Sequence, residues 1–146
     1  MNKKVYISSK IRHRNMWLKL REFGIPFNSR WLDYHLDSPP TGKVWQDFIE
    51  DIRECNSLLC VAENDDDLEK MKGCLIEVGI ALELGKWVYY YGPVTNARHG
   101  VLIDNDMVHI CPTLRNAIHW SCSNQVSTSH IPEKYFMFPD ELNDRT

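Results

Sequence analysis

A chain of 146 residues that is 43% hydrophobic and 25% charged has the size and composition of one globular domain. A domain of that size buries enough surface to need neither a metal nor a disulfide framework. A formal net charge of −3 excludes the broad basic surface on which general nucleic-acid and anionic-membrane binders depend.

None of the five cysteines, Cys55, Cys60, Cys74, Cys111 and Cys122, forms a C-x-x-C pair, and their odd number fits no disulfide framework. A reducing compartment is the simpler expectation. The N-terminal run MNKKVYISSK lacks the apolar core of a signal peptide, and no apolar stretch reaches bilayer-spanning length. A cytoplasmic protein with no membrane partner follows.

The first element in chain order is a β-prone run, Lys4 to Ser8. From Asn15 to Phe23, Met16, Trp17, Leu20 and Phe23 recur at helical spacing, and Gly24 with Pro26 stops the helix. Ile25 to Leu32, with Phe27, Ser29 and Trp31 alternating, predicts a second strand, and His35 to Lys43 a loop. Trp45 to Cys55 predicts an amphipathic helix. The continuous apolar run Ser57 to Ala62 fits a strand covered on both faces of a parallel sheet. An acidic loop from Glu63 to Lys70 precedes a helix over Gly73 to Leu84 and a strand over Trp87 to Tyr91. A strand at Met107 to Cys111 and a helix at Thr113 to Trp120 complete the pattern.

Strands alternating with helices predict an α/β domain: a single Rossmann-like or flavodoxin-like fold with a mostly parallel sheet flanked by helices. The domain is expected over residues 1–120. Residues 121–146, polar and punctuated by proline, are expected to form a C-terminal arm outside the core. In such sheets ligands bind beyond the carboxyl ends of strands, here after Ile7, Trp31, Ala62 and Tyr91.

Glu77 stands in the first turns of an otherwise apolar helix, with no local cationic partner, and Gly79 two residues on admits a close backbone or ligand approach. Two readings are open. A carboxylate so placed serves as a nucleophile towards a sugar carbon, or it is a helix N-terminal acid favoured by the macrodipole. Ser8, Ser9, Lys10, Arg12 and His13 cluster where the first strand hands over to the first helix, a composition suited to a phosphate or pyrophosphate. The ligand would then be a nucleotide rather than a bare nucleoside; the competing reading is a capped, solvated basic turn.

Trp17 lies on an apolar stripe and reads as core. Trp31, beside Asp33, and Trp45 are candidates for stacking on a base, against an ordinary packing role. Arg98-His99 falls on the ligand side and His109 in a strand, neither in a metal or triad spacing. No metal site and no cofactor are assigned.

The strand Val5-Tyr6-Ile7-Ser8-Ser9, the run Leu58-Leu59-Cys60-Val61-Ala62 and the string Glu77-x-Gly79-x-Ala81-x-x-x-Gly85-Lys86 together resemble the nucleoside 2-deoxyribosyltransferase superfamily. That superfamily includes the 2′-deoxynucleoside 5′-monophosphate N-glycosidases. The resemblance covers residues 4 to 92. Ser9-Lys10-x-Arg12-His13-x-x-Met16-Trp17 is similar to a subgroup found in phage and bacterial genomes.

The resemblance implies that Glu77 attacks the anomeric carbon, that Tyr6 steadies the carboxylate or the sugar, and that an acid on the helix before Leu58 assists the departing base. Asp47, Glu50 and Asp51 are available there, and Asp47 and Asp51, four apart, share a face. It also implies a homodimer or higher homo-oligomer. Two departures are visible: Ser8-Ser9-Lys10 replaces a Gly-rich turn, and no aspartate shortly precedes Glu77. They motivate a second function, a non-catalytic protein that sequesters or senses a nucleotide such as an ADP-ribose-derived signal, as in phage counter-defence.

Overall fold

A computed structural model describes residues 3–34, 44–63, 72–94 and 105–138. Its centre is a four-stranded, wholly parallel sheet in the order β1 (Val5–Ser8), β2 (Ser57–Val61), β3 (Trp87–Tyr91), β4 (Val108–Ile110). The flanking helices are α1 (Arg14–Glu22), α2 (Val44–Glu54), α3 (Lys72–Glu83) and α4 (Leu114–Ser121). This is the expected α/β, flavodoxin-like class. The predicted loop at 35–43 and most of the acidic loop lie outside the described residues.

Alternation along the strands sorts the core into two layers, because successive side chains leave opposite faces. Val5, Ile7, Leu59 and Val61 pack with Trp17, Leu20, Ala117 and Ile118 on one face. Tyr6, Leu58, Cys60, Val88 and Tyr90 pack with Ile52, Cys74, Val78 and Ala81 on the other. All five residues of β2 are buried, as a strand covered on both faces must be. The five cysteines are all buried, and none is in a disulfide.

The predicted strand from Ile25 to Leu32 is a correction. Only one bridge survives there, Val5 to Phe27, with Val5 N–H donating to Pro26 O at 3.0 Å and Asn28 N–H to Val5 O at 2.8 Å. Side chains then take over the ladder. Ile7 N–H donates to Ser29 Oγ at 2.9 Å and Trp31 Nε1–H donates to Ile7 O at 2.8 Å. With the β1 edge satisfied in that way, the backbone is released into a 3-10 turn at Arg30–Asp33. The chain thus leaves β1 towards one edge and returns to β2 on the other side. The reversal puts the crevice between the carboxyl ends of β1 and β2.

The expected arm from residue 121 is the second correction. Cys122, Ile131, Phe136 and Phe138 are buried against Val5, Ile7, Trp17 and Leu20. Arg115 of α4 pins the segment: it donates to Thr128 O, to Ile131 O at 2.9 Å and to Glu133 at 2.9 Å, and lies 4.2 Å over the Phe136 ring. Burying a phenylalanine is worth several kcal/mol, about 3 to 5 on truncation to alanine. A chain ended at Trp120 is therefore expected to lose its cooperative thermal transition, as followed by circular dichroism.

Among the described residues no helix is long and apolar enough to cross a membrane.

Candidate active site

Strand parity puts Tyr6 and Ser8 of β1 on the face covered by α3, and the first turns of α3 direct Cys74, Glu77 and Val78 inward. Glu77 is 7% exposed. Its two oxygens are held separately: the Tyr6 hydroxyl donates to Oε2, and the Ser8 hydroxyl donates to Oε1 at 2.9 Å. Burial pushes the Glu77 carboxyl up to about 7, against the opposing pull of these two donors. The Tyr6 phenol is driven above its ordinary value by burial, then by the negative charge of Glu77, with a smaller contribution from Asp51. A desolvated carboxylate held by neutral hydroxyls keeps a reactive lone pair that a full ion pair would occupy.

The second group stands at the same end of the sheet. Glu63, two residues after β2, receives Arg12, with Lys10 Nζ at 3.7 Å and His13 Nε2 at 3.4 Å. His13 is fully buried and stacks on Phe138 at 4.7 Å. Burial lowers its pKa, opposed by Glu63. Neither ring nitrogen has a hydrogen-bond partner among the described residues. Ser9 faces elsewhere: its hydroxyl accepts from Trp17 Nε1 at 2.6 Å, tying down a core tryptophan. The five residues that sequence placed in one cluster therefore divide. Ser8 joins Glu77; Lys10, Arg12 and His13 gather on Glu63; Ser9 supports α1.

Three of the four acids of α2, Asp47, Glu50 and Asp51, converge on Arg30, a residue the sequence did not single out. Arg30 donates through N and Nε to Asp51 at 2.8 and 2.9 Å, through Nη1 to Asp47 at 2.9 Å and through Nη2 to Glu50 at 2.8 Å. Those bonds raise the guanidinium pKa, Glu50 and Asp51 contributing most. Asp51 is buried, whereas Asp47 is partly exposed and also accepts from the Tyr34 hydroxyl at 2.7 Å. Burial and Asp47 push that phenol up to about 12.

No family model and no curated protein sequence matches the chain. Among solved structures it is similar to a 2-deoxyribosyltransferase. That protein, from the psychrotolerant bacterium Bacillus psychrosaccharolyticus, aligns over 88% of this chain and 96% of its own, with a TM-score of 0.55 and 19% identity. At that identity the likeness establishes the fold alone.

The remaining candidates have other neighbours. Trp31 is half-buried with its indole N–H engaged by the β1 edge. Asp33 is exposed and clasped by Arg21 of α1 at 2.6 and 3.0 Å, which lowers its pKa. Gly79 follows Glu77 by two residues, so helical geometry turns it to the opposite side. It borders a shallow apolar groove with Ile49, Ile76, Ile80 and Leu84. Trp45 is 54% exposed at the start of α2. His109 stacks on Tyr89 at 5.2 Å, while Arg98 and His99 lie outside the described residues.

Gly92 follows β3 directly and packs against Ala62 at the end of β2. Its φ is +155°, and a Cβ there would meet the Tyr90 hydroxyl at 2.7 Å and Ala62 O at 2.8 Å. Any side chain would push β2 and β3 apart beside Glu63.

Proposed function

We propose that this protein breaks or transfers at the N-glycosidic bond of a phosphorylated nucleoside or ADP-ribose-type substrate, with Glu77 as the nucleophile. The carrying observation is the buried Glu77 carboxyl, held by Tyr6 and Ser8 at the switch point of the sheet. In the first step a Glu77 oxygen bonds to the anomeric carbon as the bond to the base breaks, and its electron pair leaves with the base. The base takes up a proton from, or from water oriented by, Asp51 or Asp47. In the second step water or an acceptor base attacks the same carbon, loses a proton and releases Glu77. Two inversions retain configuration.

Tyr6 steadies the carboxylate, and Lys10 and Arg12 receive a phosphate beyond β1. The exposed apolar side chains Trp45 and Ile76 on α2 and α3 support a homodimer or higher homo-oligomer.

The test is incubation with nucleosides, mononucleotides, NAD and cyclic ADP-ribose species, read by mass spectrometry. Release of a free base is the expected result and names the substrate. A ligand that binds and is recovered intact would replace this reading with the sequestering one.

A further inference from the structure

The cations beyond β1 already hold an anion, and that anion belongs to the protein. Glu63 directs its carboxylate into the turn that carries Lys10, Arg12 and His13, and its side chain is only 10% exposed. The preceding residue, Ala62, is tied to the sheet through its N–H to Tyr91 O at 2.9 Å. Glu63 itself lies beyond β2, so moving its side chain breaks no strand hydrogen bond.

A second observation points to a ligand at this place. His13, fully buried, presents two ring nitrogens that make no hydrogen bond to the described residues. Buried polar atoms are normally satisfied, and Glu63 comes no nearer to Nε2 than 3.4 Å, so an oxygen-rich group seated in place of the Glu63 carboxylate would complete the site.

We propose that Glu63 is a tethered carboxylate occupying the seat of the ligand's phosphate, so that a phosphate-bearing ligand binds only by displacing it. The proposal rests on the reading of Lys10 and Arg12 as the phosphate-binding residues. A phosphate monoester dianion carries more charge than the carboxylate and offers three acceptor oxygens, so it wins the cations. A ligand without that charge leaves Glu63 in place. Glu63 thereby sets a threshold that favours nucleotides over nucleosides, and it keeps Lys10 and Arg12 ordered in the empty protein.

The competition lowers apparent affinity by the fraction of protein in which Glu63 has left the seat. Calorimetric titration of the full chain with inorganic phosphate measures it in wild type, Glu63→Gln, Glu63→Ala and Arg12→Ala, each checked for an intact thermal transition. Both Glu63 variants are expected to bind phosphate more tightly, by about tenfold, and Arg12→Ala to bind it more weakly. Equal or weaker binding by the Glu63 variants, with Arg12→Ala still impaired, overturns the displacement and leaves the phosphate site standing. Binding that ignores Arg12, or is absent from wild type and both Glu63 variants, overturns the phosphate site and the displacement together.

Discussion

Glu77→Gln is expected to abolish base release, by roughly ten-thousandfold or more for loss of a covalent nucleophile, while making the protein more stable in alkaline solution. Both effects come from the same burial. Because the folded carboxyl titrates near 7 rather than at its ordinary 4.5, the folded state binds protons more tightly than the unfolded chain. Glu77 therefore contributes stability below pH 4.5, and that contribution is lost as pH rises to 7. Above 7 the wild type carries a buried carboxylate at a cost of about 3 kcal/mol. Glutamine keeps an acceptor for Tyr6 and never ionises. Near pH 8 the variant should melt roughly 5 to 10 °C higher, and the two proteins should converge as pH falls towards 4.5. Differential scanning calorimetry across that range reads the stability. In kinetics, kcat/KM of the wild type should rise with pH through about 7 as the nucleophile ionises. A Glu77→Gln protein that still turns over would move the chemistry to another residue.

What the sequence disclosed and what it hid divide along a physical line. Tyr6, Ser8 and Glu77 were legible because each belongs to a periodic element. Parity along β1 and the spacing of α3 fix the faces from which they meet. Arg30 was not legible, since it sits in a 3-10 turn with no period and its partners lie 17 to 21 residues further on. Glu63 opens an acidic run and reads as solvated charge, yet Arg12 answers it from 51 residues away. Phe27, Ser29 and Trp31 carry a sound strand alternation. The pattern marks a real edge position, but Ser29 and Trp31 side chains make the bonds that a backbone ladder would have made. Ile131, Phe136 and Phe138 anchor the C-terminal segment at irregular intervals, so hydrophobic periodicity has nothing to detect there.

Arg30→Lys should be damaging although it preserves the charge. The guanidinium meets three carboxylates that occupy positions i, i+3 and i+4 of α2, each with its own nitrogen. An ammonium is a point charge and has no rigid fork with which to hold Asp47, Glu50 and Asp51 at once. Asp51, buried and approached by both the backbone N–H and Nε of Arg30, would keep only the former. Removing one partner of a fully buried pair costs about 3 to 5 kcal/mol. Arg30 is 44% exposed, so solvent takes up part of the loss and about 2 kcal/mol is expected. The functional effect should exceed the stability effect. Asp51 is close enough for its charge to act on Tyr6, and Tyr6 holds the Glu77 carboxylate, so under the proposed mechanism a displaced Asp51 would disturb both the departing base and the nucleophile. Steady-state kinetics well below the melting temperature should show kcat/KM reduced by about tenfold to a hundredfold. If kcat/KM stays at the wild-type value while the melting temperature falls, Arg30 does no more than fasten its turn to α2, and Asp51 has no part in positioning the reaction.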